Sequence, residues 1–119
     1  MAQIALQRVY DFNGPAAQHC FLIDRLWPRG VSKQRLAGVE WLKDVAPDNA
    51  LRQWFHQHSE RWDEFVTRYR QQLAENSAWQ PLVALLRQGG ELTLLYASKD
   101  TQHNQGVVLR DFLYQQLED

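Results

Sequence analysis

The chain has 119 residues, 45% of them hydrophobic, with five Trp, five Phe and four Tyr, which excludes a disordered segment and suits one α/β domain over 1–119. Thirteen basic and fourteen acidic residues leave a formal net charge of −1. That balance excludes broad salt-driven binding to nucleic acid and gives no pull toward an anionic membrane surface.

Cys20 is the single cysteine, so an intrachain disulfide and a thiolate zinc site are both excluded. A reducing cytoplasm is the expected compartment. No apolar run nears a membrane span, and Met1-Ala2-Gln3-Ile4 lacks the basic-then-apolar order of a signal peptide.

In chain order, Ile4 to Tyr10 reads as a first strand, closed by the turn Asp11-Phe12-Asn13-Gly14-Pro15. Cys20 to Asp24 is a second strand. Pro28 and Gly30 stop it, because proline lacks the ladder N–H and glycine permits a sharp change of direction. Ser32 suits the N-cap of a short helix through Leu36. Residues 39–45 fit a helix turn through Trp41 and Val45, or an exposed or edge strand by alternation; the strand is favoured.

The middle is helical. Pro47-Asp48 opens a helix carrying Leu51, Trp54 and Phe55. Ser59 suits the cap of a second helix, in which Trp62, Phe65, Val66, Tyr69 and Leu73 make one apolar face. Ser77 with Gln80 reads as a capping box, Leu82, Leu85 and Leu86 as the buried stripe behind it, and Gly89-Gly90 as its stop. Leu92 to Tyr96 is the last strand. A final helix is anchored by Val108, Leu109, Phe112 and Leu113.

Phe21-Leu22-Ile23 and Leu92 to Tyr96 lack polar alternation, the pattern of strands covered on both faces of a parallel sheet. The expected fold is therefore α/β, a small mostly parallel sheet flanked by helices on both faces. Each run leads into charged groups: Asp24-Arg25-Leu26-Trp27-Pro28-Arg29-Gly30 after the first, Ala97-Ser98-Lys99-Asp100 and His103-Asn104 after the second. Ligands of open α/β sheets sit outside the carboxyl ends of strands, so parallel neighbours would bring both clusters to one polar pocket.

Arg25, Arg29, Lys43 and Lys99 are the candidate anion-binding cations, and Asn104 near a helix start places free N–H groups beside them. The competing account is a structural network in which Asp24 and Asp100 pair with Arg25, Arg29 or Lys99. His103 is the candidate proton carrier, with Asp100 or Asp24 to orient it; alternatively His103 and Asp100 only cap the last helix. Trp27 either stacks on a ring or guanidinium or packs beneath the turn. Trp41, Trp54 and Trp79 read as core; exposed together they would favour a protein-interaction domain. No cofactor is expected, and His19, His56 and His58 are too scattered to suggest a metal site.

Asp24-Arg25-Leu26-Trp27-Pro28-Arg29-Gly30, Trp41-Leu42-Lys43, Ala46-Pro47, Leu51-Arg52-x-Trp54-Phe55, Trp62-x-x-Phe65 and Tyr96-Ala97-x-Lys99-Asp100-x-x-His103-Asn104 occur in order. Together they resemble the YeaO-like family of small bacterial proteins, of unknown function. The resemblance runs over nearly the whole chain and implies a compact cytoplasmic α/β domain. It carries no activity. The chain departs from it at His56-Gln57-His58-Ser59, where a Gly-His-Asp-Pro-like turn is usual, and at Ser98 and Gly106, where alanine is usual. A looser likeness to rhodanese-like domains lacks the cysteine that sulfur transfer needs. Three functions follow: an enzyme on a small phosphorylated or carboxylate substrate, a non-catalytic nucleotide or metabolite-binding module, or a protein-interaction domain.

Overall fold

A computed structural model describes residues 3–16 and 18–118 of the chain. Met1 and Ala2, cited above for the missing signal pattern, lie outside them. The strands are β1 (Gln3–Arg8), β2 (Cys20–Leu22), β3 (Glu40–Trp41) and β4 (Glu91–Tyr96); the helices are α1 (Asn49–Gln57), α2 (Trp62–Ala74), α3 (Gln80–Arg87) and α4 (Gln105–Leu117). The sheet order is β1-β4-β2-β3, with every pair parallel. Leu22 pairs with Leu95 on one side and Trp41 on the other, so β2 and β4 are the two inner strands.

Period-two alternation sorts the strand side chains to two faces. Phe21, Ile23, Leu92, Leu94 and Tyr96 join Leu51, Phe65, Tyr69, Leu73, Leu82, Leu86, Leu109 and Leu113, so all four α-helices contribute to one core. Cys20, Leu22 and Leu95 enter a smaller core with Val9, Phe12, Val31 and Leu36. Helical cover on that second face is one 3-10 turn, Val9–Asp11; irregular chain supplies the rest. The α/β, parallel-sheet architecture thus holds, with the two layers unequal in weight.

Local differences from the sequence reading have tertiary causes. β1 ends at Arg8 because the fully buried Val9 turns into the smaller core. Ser32 Oγ accepts from the Arg35 N–H at 3.1 Å, yet residues 33–38 form turns and stop at Gly38. The 39–45 segment gives a two-residue strand and then a 3-10 turn, Lys43–Val45, fixed where the buried Tyr69 hydroxyl donates to the Val45 carbonyl at 2.5 Å. Asp48 caps α1, accepting from the Leu51 N–H at 2.8 Å. α2 begins at Trp62, after Arg61 and not after Ser59. Trp79, without a side-chain cap, precedes α3, so the Ser77–Gln80 box does not form. Gly89 ends α3 at φ +86°, a backbone state that favours glycine.

Candidate functional site

Parallel pairing of β2 with β4 places the two carboxyl ends side by side, and the Ile23 N–H donates to the Leu95 carbonyl at 3.1 Å. Asp24 Oδ2 then accepts from the Ala97 N–H at 3.0 Å, and Oδ1 from the Gln105 side-chain amide at the start of α4. Burial pushes the Asp24 carboxyl up from 3.8 to about 6, against the lowering pull of those two donors and of Arg52. Desolvation wins because Asp24 makes no ion pair within 4.0 Å among the described residues.

Arg25 is turned the other way. Its Nε donates to the Pro47 carbonyl at 3.1 Å and a terminal nitrogen to the Ala46 carbonyl at 3.0 Å. A guanidinium that satisfies two loop carbonyls fixes the 46–48 turn ahead of α1 and has little fork left for an anion. Arg29, Lys43 and Lys99 are exposed. The Lys43 ammonium lies 5.3 Å from the Trp41 ring centroid.

Asp100 Oδ1 accepts from the N–H groups of Gln102 and His103, both at 2.9 Å. These bonds hold its exposed carboxyl below the usual range. His103 Nδ1 lies 3.6 Å from Asp100 Oδ2, and its ring packs 4.8 Å from Trp62. Asn104 is 2% exposed and caps α4: Oδ1 accepts from the Val107 N–H at 3.2 Å, while Nδ2 donates to the Asp100 carbonyl at 2.8 Å. Its carboxamide is thus held inside the fold.

The tryptophans depart from expectation. Trp27 makes no guanidinium stack among the cation–aromatic contacts described; its Nε1 donates to the Val31 carbonyl at 2.6 Å, and its ring meets Trp41 edge-on at 5.3 Å. Trp41, expected in the core, is 38% exposed on the edge strand, with Nε1 donating to the Asp24 carbonyl at 2.7 Å. Leu26, which precedes Trp27 in the chain, is 53% exposed. Trp54 and Trp79 are half-buried against the main core.

The structure therefore joins Asp24 to the 97–105 loop and joins Trp27, Trp41 and Lys43 in a second cluster. Two open grooves flank the end of α2: one of about 490 Å³ against the 46–48 turn, one of about 410 Å³ against the start of α1. Arg25 lines the first with Asp48, Gln72, Glu75 and Ser77; the other expected site residues line neither. Sequence reasoning missed Gln105 and Arg52. Gln105 follows the Asn104 cap directly, which would have placed it on the first turn facing the strand ends. Arg52 stands in the Leu51-Arg52-x-Trp54-Phe55 motif, but nothing there points it at Asp24; its Nε is buried without a hydrogen-bond partner among the described residues.

Among the described residues no group of three or more His, Cys, Asp or Glu is placed to hold a metal ion, and no helix is long and apolar enough to cross a membrane. No solved structure matches the chain. It is 37% identical over 110 residues to the uncharacterized protein YeaO of Escherichia coli, covering 92% of this chain and 96% of that one. It is 33% identical over 111 residues to the uncharacterized proteins Mb3100c of Mycobacterium bovis and Rv3073c of Mycobacterium tuberculosis, covering 93% of both partners in each comparison. Residues 3–119 match the family DUF488-N3i, described as the inactive DUF488-N3 subclade, and the chain belongs to that family.

Proposed function

We propose that the protein is a non-catalytic module that binds a small aromatic anion, a nucleotide in class, at the corner formed by Trp27, Trp41 and Lys43. The observation that carries this is the half-open Trp41 indole with the Lys43 ammonium 5.3 Å from its centroid. The ammonium lies over the indole ring, so a base would stack on the ring surface left open with its phosphate toward Lys43, and base–aromatic stacking contributes about 1–3 kcal/mol per base. Arg29 and Lys99 are exposed on the loops that follow β2 and β4. The family description as an inactive subclade supports binding over turnover. Cysteine usage supports a cytoplasmic setting.

Thermal-shift and tryptophan-fluorescence titrations with AMP, GMP and inorganic phosphate test it. The nucleotides raise the melting temperature and are recovered unaltered, phosphate alone acts weakly, and Trp41→Ala removes the shift. No shift with either nucleotide discards the proposal.

A second function is favoured by the His103–Asp100 approach of 3.6 Å and by an Asp24 carboxyl poised at about 6. It is an enzyme on a small phosphorylated or carboxylate substrate, with His103 moving the proton. Conversion of a stabilising ligand, abolished by His103→Ala in a folded protein, would select it.

A further inference from the structure

One carboxylate holds both ends of one loop. Asp24 Oδ2 takes the N–H of Ala97, where β4 has just ended, and Oδ1 takes the side-chain amide of Gln105, where α4 begins. Between these points the chain carries the exposed Lys99, Asp100 and His103. Much of the loop's remaining hydrogen bonding is internal, through Asp100 to Gln102, His103 and Asn104. Its other ties to the body include the Arg8 Nε bond to the Ser98 carbonyl at 3.0 Å, the His103 ring against Trp62, the buried Asn104 side chain bonded to Tyr96, and Ala97 packed on the smaller core.

We propose that Asp24 is a proton-linked clasp on the 97–105 loop, tight when its carboxyl is protonated and loosened when it is ionised. The groups around it set this direction. Arg52 from α1 is the cation acting on the carboxylate, without a direct ion pair. Tyr69 from α2 is within electrostatic range and keeps its own proton, raised first by burial and then by Asp24. The adjacent Arg25 points to the Ala46 and Pro47 carbonyls. β3 offers the Trp41 indole to the Asp24 backbone carbonyl, and α4 offers the neutral Gln105. Closure therefore removes water from a charge and supplies only partial compensation.

Opening the loop hydrates the carboxyl and returns it from about 6 toward 3.8. The closed form thus binds the proton more tightly, and by linkage the proton favours closure. As pH rises through about 6, the opening equilibrium grows, by up to roughly a hundredfold for full hydration of the group. The Gln105 amide can turn to present Oε1 to the protonated carboxyl, so both ties survive protonation.

A 15N NMR titration of the full chain from acid to alkaline pH tests the clasp. The Ala97 backbone amide and the Gln105 side-chain amide share one midpoint near pH 6. Amide exchange over residues 98–103, corrected for its intrinsic pH dependence, rises tenfold or more across it. His103→Gln removes the loop's own imidazole and keeps the midpoint; Asp24→Asn removes the midpoint and keeps exchange slow throughout. Separate or absent midpoints, a midpoint lost in His103→Gln, or exchange that slows as pH rises would overturn the proposal. The His103→Gln arm decides the matter even where Asp24→Asn does not fold.

Discussion

Two corners of the same sheet edge treat their polar groups in opposite ways. At the Asp24 corner, the carboxylate, the neighbouring Arg25 fork and the Asn104 amide all hold backbone or side-chain partners inside the fold. At the Trp41 corner, an indole that is 38% exposed lies under an exposed lysine, with its N–H given to the Asp24 carbonyl and its ring edge-on to Trp27. Residues that look reactive in the sequence thus make contacts within the fold in one place, while a residue expected in the core is partly exposed in the other. Buried polar atoms must be satisfied, and a loop carbonyl satisfies a guanidinium as well as a ligand does.

The comparison breaks most sharply at Arg25. Arg25→Ala leaves the Ala46 and Pro47 carbonyls without their donors and lowers stability by about 3 kcal/mol, measured by urea denaturation. A neutral effect would mean that Arg25 is free for a ligand after all.

Asp24→Asn has the next largest effect, with opposite sign. The folded pKa of Asp24 lies above its unfolded value of 3.8, so its contribution to stability is full below 3.8 and is lost as pH rises through about 6. Asparagine carries no charge to desolvate and gains about 2 kcal/mol over the native chain at pH 7.5. The gain vanishes near pH 4, in melts followed at both pH values. Asp100 runs the other way: its lowered carboxyl contributes above the usual carboxylate range and loses that contribution on acidification.

Tyr69→Phe removes the donor to the buried Val45 carbonyl and costs about 1.5 kcal/mol, sharpening the assignment of the 43–45 turn as a tertiary product. Trp41→Ala is the smallest in stability, under about 1 kcal/mol, because the ring is on the surface. In the proposed function it is the largest in binding, so stability and nucleotide titration of one variant separate the two corners.

The elements most legible in the sequence were those with a long period and a clear stop. α2, with its five-residue apolar face, and α3, closed by Gly89, were readable within a few residues. That β2 and β4 are covered on both faces was readable from two unalternated apolar runs; that they are neighbours came from the structure. Segment 39–45 was readable in part: the favoured edge strand forms at Glu40–Trp41, but the 3-10 turn after it carries too few positions to show a period. Trp41 misled because an aromatic ring next to Val39 and Val45 fits a core as well as an edge.

The sequence alone determined the sheet-and-helix alternation, the helix stops and the charged segment after each inner strand, since these rest on periodicity and on local backbone chemistry. Only the tertiary structure decided which of those charges are free. Arg25 finds Ala46 at a separation of 21 residues, and Asp24 finds Gln105 at 81. Partners so distant follow from packing alone, because side-chain hydrogen bonds are short-range and no local pattern encodes them.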